Sequence, residues 1–496
     1  MSAALQVPPT ARVPSGAGFF PVCVLVLLAA LAVPYVAIML AGGGLVRTVY
    51  PAYILCVALF VMANRRPLYP AFMIAVFAFS PFLRRVADYQ AGFAIFNLIL
   101  LGPYTGLLPT VPALLRRAFG GRGTLNWPFA VVLICVIYAV FLAMFRMAFI
   151  AAAFEGMKWL LPTALAAFIM AEPAESETVR HSVIQALCLI MPILTLYGVY
   201  QFLYAPLWDV YWMWNIDNPT FGFGEAFKIR VFSMMNSPGT VGMFSSYAMT
   251  LLAGDSLLAL AIAAASLPLL ALTLIRTAWL SIAAGLAVLL LRASGSRRLI
   301  LIAGMAGIGF IAAAIMASPN LPPDINNMVT ERLATFAGLS TDNSADDRLA
   351  VYDAFFGRLA DSPWGEGFGA NISTISLQGA KRDLVAIDSG LLEAYLIYGI
   401  VGGTLYFLAF GALVAEAWRA LPGLGGRLDA NFAVVGCAVA VLPLGSNEVG
   451  EPGVLVWTAL GTLFAGAEYA RRGGRRRRQR LGHPDLRADQ VGLSAP

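Results

Sequence analysis

Phe19-Phe-Pro-Val-Cys-Val-Leu-Val-Leu-Leu-Ala-Ala-Leu-Ala-Val-Pro-Tyr-Val-Ala-Ile-Met-Leu-Ala41 runs for 23 residues without one charged side chain. That length matches the roughly 20 apolar residues a helix needs to cross the hydrocarbon core of a bilayer. The run shows no strict alternation, so it reads as a helix and not as a strand. Similar runs recur along the whole chain. Of its 496 residues 59% are hydrophobic and 12% charged, and the mean hydropathy is +0.77. A soluble domain carries about 25% charged residues, so a water-soluble fold of this length is excluded. In lipid every backbone polar group must find an internal partner, which leaves helices or a closed barrel. The composition therefore predicts an all-α, polytopic integral membrane protein with about 12–14 transmembrane helices.

The first run is too long for a signal-peptide core and shows no small-residue cleavage site, so it is read as a span. The expected spans are 19–41, 48–63, 68–83, 92–115, 128–150, 156–171, 182–206, 238–253, 256–275, 277–293, 297–317, 389–415, 431–446 and 453–470. Three of these, 48–63, 68–83 and 156–171, are short. The corresponding divisions are an N-terminal bundle (1–206), a first loop (207–237), a second bundle (238–317), a large loop (318–388), a C-terminal bundle (389–470) and a basic tail (471–496). No internal repeat is visible.

Lys and Arg favour the cytoplasmic side of a membrane. Seven arginines fall between Arg471 and Arg480, which assigns that tail, expected to be disordered, to the cytoplasm. Strict alternation then puts 64–67, 116–122, 172–181, 292–298 and 419–427 on the same side, with both termini. It leaves 207–237 and 318–388 on the outer, periplasmic side. The second of these holds ten Asp or Glu and five Lys or Arg. Within it, Ser344 to Asp347 resembles a capping box, and Arg348, Tyr352, Phe355, Phe356 and Leu359 share one face of an amphipathic helix. Pro363 and three following glycines end it.

Several cations break the orienting bias by falling on the outer side: Arg84, Arg85, Lys158, Lys228, Arg230, Arg276 and Arg348. Cations near a bilayer are costly unless paired or functional. Arginine forks match phosphate oxygens and keep their charge at any pH. Pro238, with Asn236 or Ser237 as cap, opens a helix whose N-terminus adds free amide groups. Together these residues suit a di-anion held at the membrane surface, such as a lipid-linked sugar pyrophosphate. Each has a plainer reading as well. A single arginine is more often an interfacial anchor, and Arg84 beside Asp88, or Arg348 beside Asp346 and Asp347, forms a local ion pair.

The two histidines, His181 and His483, fall on the cytoplasmic side, so an outer-face base must be a carboxylate. Asp388 begins the 389–415 span in Ile-Asp-Ser-Gly-Leu-Leu-Glu, with Glu393 one turn further. It is a candidate general base, and its alternative role is a helix cap. The five cysteines (Cys23, Cys56, Cys135, Cys188 and Cys437) lie in apolar runs and form no CxxC pair, so they read as packing residues. No spaced Asp-x-Asp is present in the outer loops. No metal or cofactor is expected, and no nucleic-acid partner.

Four motifs give the chain a family resemblance. They are Arg230-Val-Phe-Ser-Met-Met-Asn236-Ser-Pro238, Leu272-Thr-Leu-Ile-Arg276-Thr-Ala-Trp279, the Arg348 to Gly369 segment ending Ser-Pro-Trp-Gly-Glu-Gly-Phe-Gly, and Asp388-Ser-Gly-Leu-Leu-Glu393 followed by Tyr398-Gly-Ile-Val-Gly402. In order and spacing they resemble the O-antigen ligase and polymerase superfamily, bacterial inner-membrane glycosyltransferases of the GT-C type, over about 220–410. The resemblance implies an undecaprenyl-pyrophosphate-linked oligosaccharide as donor, a glycan as acceptor, and Arg230, Arg276 and Arg348 on the pyrophosphate. It also implies a helical periplasmic loop, and chain-length regulator and export proteins as further partners. Pro238 stands in place of the family motif's second Asn. Asp388 stands near the place of the ligases' outer histidine, which tilts the expectation towards an exopolysaccharide or O-antigen polymerase. A ligase to the lipid A core, or a flippase for the same lipid-linked sugar, is the alternative.

Overall fold

The computed structural model describes residues 20–120, 126–216, 219–316, 355–369, 389–424, 426, 428–445 and 449–480. Among these no strand forms, and the only bridge pairs Gly222 with Ile229. The fold is all-α and polytopic. Among the described residues, seven helical stretches are long and apolar enough to cross a membrane: Cys23–Ala41, Gly43–Asn64, Arg66–Ala91, Leu98–Phe119, Asn126–Ala143, Pro173–Tyr204 and Gly390–Leu424. The other expected runs also fold as helix, among them Phe149–Met170, Pro238–Ala253, Arg276–Arg292, Gly295–Met316, Asp429–Val441 and Gly450–Arg480.

The three short runs prove to be full-length helices. They become Gly43–Asn64, Tyr69–Ala91 and Phe149–Met170. The polar residues at the edges of the expected runs, Arg47, then Arg84, Arg85 and Asp88, then Glu155, lie inside these helices. Pro81 accordingly ends nothing, because the helix continues for ten residues to Ala91. Tyr69–Ala91 is the central post of the molecule: every residue from Tyr69 to Asp88 is buried. Up to Leu83 the helix is apolar on all sides apart from Ser80, as such a position requires, and its buried charges lie in its last turns.

Other departures follow from local breakers. The 256–275 run is two pieces, Leu257–Ala265 and Leu267–Thr273, separated at Ser266 with Pro268 in the next turn. The 207–237 loop contains a helix of its own, Leu207–Ile216, which packs against Tyr69–Ala91. The last helix does not stop at 470 but continues through the arginines to Arg480, so the first part of the basic tail is helical.

The segments that alternation assigns to one side meet at one end of the bundle. Arg66 reaches Glu172 at 3.1 Å and the Ser182 hydroxyl donates to the Pro67 carbonyl at 2.7 Å. Arg180 pairs with Asp255 at 2.6 Å and Arg292 with Asp429 at 3.2 Å. The candidate site residues among those described, Arg84, Arg85, Lys158, Arg230 and Arg276, lie towards the opposite end.

Candidate functional site at one end of the helical bundle

Arg85 organises this end. It is completely buried, and all three guanidinium nitrogens donate. Nε reaches Asp209 Oδ1 at 2.6 Å, Nη1 reaches the Met235 carbonyl at 2.6 Å, and Nη2 bonds the Ser233 carbonyl. Asp209 also accepts from the Tyr197 hydroxyl at 2.8 Å and from Gln201 Nε2 at 2.6 Å. Gln201 in turn uses Oε1 to accept from the amides of Phe232 and Ser233, at 3.0 and 2.8 Å. The irregular backbone of 231–236 is thus held on both its donors and its acceptors. A bundle interior tolerates non-helical backbone only when it is satisfied in this way. Ser233 adopts a left-handed conformation at φ 48° inside this clamp.

The clamped loop presents a different group at each end. At its start, the Val231 amide donates to the Leu272 carbonyl at 3.1 Å. That bond lays the backbone beside Arg230 against the turn that leads into Arg276, the first residue of the Arg276–Arg292 helix. The Pro238–Ala253 helix packs on the same turn: a Cβ on Gly242 would stand 3.4 Å from Thr273 Oγ1 and 3.5 Å from Ile275 Cβ. Ser237 caps that helix, accepting from the Thr240 amide at 3.1 Å. Arg230, Arg276 and one helix N-terminus therefore share one neighbourhood.

At the loop's other end, Asn236 Nδ2 donates to Glu451 Oε1 at 3.0 Å. Glu451 opens the last helix and interacts electrostatically with Lys158 and Glu155. Lys158 pairs with Glu155 Oε2 at 2.8 Å and also feels the charge of Glu393. A carboxylate-rich group with one ammonium thus stands at the far side of the loop from the arginine pair.

The remaining expected residues are placed as follows. Arg84 donates through Nε to Asp88 at 3.3 Å and through Nη2 to the Ala94 carbonyl at 3.2 Å, the local ion pair that its spacing allowed. Asp88 also accepts from Arg47 and Asn97, so Arg84 belongs to a buried polar knot. Lys228 pairs with Glu225 at 2.7 Å on the surface. Arg348 and Asp388 lie outside the described residues. The cap of the Gly390–Ala420 helix is nonetheless visible: it is Ser389, whose hydroxyl accepts from the Leu392 amide at 3.3 Å. The capping role weighed for Asp388 is filled by its neighbour.

The Pro363 to Gly369 motif has a structural task. It enters a break in the Gly390–Ala420 helix at Gly399, where φ is 74° and ψ −179°. The break frees the carbonyls of Leu396 and Ile397. They accept from the amides of Glu366 and Gly367 at 2.7 and 3.0 Å, while the Ile400 amide donates to the Pro363 carbonyl at 2.9 Å. Glu366 is gripped by Arg358 through both oxygens, at 3.1 and 2.8 Å, and by Arg146 at 2.7 Å. The Tyr138 hydroxyl donates to the Trp364 carbonyl at 2.6 Å, tying the motif to the Asn126–Ala143 helix.

Sequence reasoning did not single out Asp209 and Glu451. Each is an acid at the edge of an apolar run, Asp209 after Ala-Pro-Leu-Trp and Glu451 before Pro-Gly-Val-Leu-Val-Trp. The same cost that made the boundary cations notable applies to boundary acids.

The fold and this site define a multi-pass membrane protein with a charged polar centre at one end of its bundle. Residues 260–407 match the family model described as O-antigen ligase, which supports the superfamily resemblance and a ligase- or polymerase-type activity on glycans. The match spans Arg276, the Pro363 to Gly369 motif and the broken helix as far as Phe407. No curated protein gives a significant match to the chain.

Proposed function

We propose that the protein is a polysaccharide polymerase of the inner membrane, transferring glycan from an undecaprenyl-pyrophosphate-linked donor to a hydroxyl of a second glycan at the periplasmic face. The acceptor oxygen attacks the anomeric carbon, and the bond from that carbon to the pyrophosphate oxygen breaks. Arg230, Arg276 and Arg348 neutralise the leaving pyrophosphate as its charge develops. Asp388 takes the proton of the attacking hydroxyl. Arg85 holds the loop that carries Arg230, while Arg84 and Lys158 stay with their carboxylates. Both termini are cytoplasmic in this reading, and chain-length and export proteins act beside it.

The observation that carries the reading is the bond from Val231 to Leu272 at 3.1 Å, which joins two motifs through residues 41 apart in sequence, beside the Pro238–Ala253 helix. A ligase to the lipid A core would use the same pyrophosphate chemistry, and the departure at the ligases' histidine position favours the polymerase. A transporter is disfavoured by the fate of the helix break. Transporters use freed carbonyls at such breaks to coordinate ions. Here Leu396 and Ile397 already accept from backbone amides.

A deletion strain separates the two glycan readings. Loss of long chains with single repeat units retained on the carrier or core supports a polymerase. Loss of every polymer form from the lipid A core supports a ligase.

A further inference from the structure

Glu155 is only 5% exposed, and its two oxygens differ in fate. Oε2 meets Lys158 Nζ at 2.8 Å, whereas Oε1 is buried and meets no hydrogen-bond donor. A buried acceptor left unmet carries its full desolvation cost, and more when charged. Such a group persists where a ligand supplies the missing donor. Around it stand Glu451, held by Asn236, and Tyr104, whose phenol interacts electrostatically with both Glu155 and Glu451.

The electrostatics select the ligand's class. Glu155, Glu451 and Glu393 outnumber the single ammonium of Lys158, so a phosphate is repelled here and accepted at the arginine end of the same loop. A neutral hydroxyl is not repelled, and it donates the hydrogen bond that Oε1 lacks. The ammonium in the group also disfavours a metal cation. We infer that Glu155, Lys158 and Glu451 form a subsite for a sugar hydroxyl of the acceptor glycan. The inference rests on the transfer reading for the word acceptor, but the binding of a neutral sugar can be measured without turnover. The clamped loop then separates two ligands by charge: pyrophosphate beside Arg230, neutral sugar beside Asn236.

The test uses the full chain in lipid nanodiscs. Its probe is the lipid-free oligosaccharide released by mild acid from the producing strain's own polymer, observed by saturation-transfer NMR. The wild-type protein should bind it. Glu155→Gln and Glu451→Gln should each weaken binding about tenfold or more, the scale of one charge-assisted hydrogen bond. Lys228→Ala, at the exposed pair with Glu225, should bind as wild type does. Glu155→Asp keeps the charge facing Lys158 and withdraws the oxygens by one methylene; it should weaken binding similarly, and it replaces the Gln variant if that one fails to fold. In a transfer assay the Gln variants should raise the acceptor KM while leaving the donor KM unchanged. No binding by wild type, or equal binding by wild type and both Glu155 variants, overturns the subsite. Wild-type binding that these variants weaken, without any transfer, upholds the subsite and refutes the transfer reading instead.

Discussion

Gly365 and Gly399 meet backbone to backbone: a Cβ on Gly365 would stand 2.5 Å from the Gly399 nitrogen, and a Cβ on Gly399 would stand 2.6 Å from the Gly365 nitrogen. Both adopt positive φ, 93° and 74°. The motif after the 355–361 helical turns is therefore a plug shaped for one helix break. Gly365→Ala and Gly399→Ala should each destabilise the protein by at least about 1–3 kcal/mol, the scale of a forced backbone conformation, before any clash is counted. Gly357→Ala is the control, since nothing lies within 4 Å of its added methyl. It should be neutral or stabilising. Thermal unfolding in detergent reads all three.

Removing either member of the Arg85–Asp209 pair should be severe, because breaking a buried pair from one side typically costs about 3–5 kcal/mol. Arg85→Lys should rescue little, since one ammonium cannot span Asp209 and two diverging carbonyls. The double variant Arg85→Met with Asp209→Leu removes both charges. It should regain stability relative to either single variant while transfer stays lost, because the Ser233 and Met235 carbonyls lose their donor. Equal activity in the double variant and wild type would separate the clamp from function.

Much of the helical layout is legible in the sequence, because apolar runs near span length admit few alternatives in lipid. Their ends are less legible. Hydropathy stops at Leu83, yet the helix runs to Ala91, since Arg84 and Asp88 pair with each other within the helix while Asp88 also meets Arg47 and Arg85 meets Asp209, both distant in sequence. Arg85 looks the same in sequence whether it faces a phosphate or Asp209, 124 residues away. The cation excess at one end is visible in advance, and so is the place of the Pro363 to Gly369 motif after a helix. The break at Gly399 is not, because a glycine in an apolar run is ordinary until something fills the gap beside it. Ser389 and Asp388 are both good caps by type, and only geometry assigns the cap to Ser389.

That assignment sharpens the test of Asp388. If it accepts the acceptor's proton, Asp388→Asn should slow transfer by about 10² or more. Ser389→Ala should instead cost about 1 kcal/mol of stability with a modest effect on rate. Steady-state rates and unfolding curves on the two variants distinguish base from cap. Wild-type activity in Asp388→Asn would remove it as the base and leave Glu393 as the remaining carboxylate of that helix start.

Orientation has its own measurement. Cysteine labelling or reporter fusions should find 318–388 accessible from the periplasm and 471–496 from the cytoplasm. A cytoplasmic 318–388 segment would contradict an outer-face reaction.

The central claim is that arginines on three motifs, Arg230, Arg276 and Arg348, activate a lipid pyrophosphate without nucleotide or gradient. Its most direct test is transfer by the purified protein given only undecaprenyl-pyrophosphate-linked oligosaccharide and acceptor glycan, compared with Arg230→Ala, Arg276→Ala and Arg348→Ala at equal membrane levels. Elongated glycan and released undecaprenyl pyrophosphate are expected from wild type, with severe loss in each alanine variant and only partial recovery with lysine. Near-wild-type turnover in all three alanine variants, or no turnover by a folded wild-type protein, would contradict it.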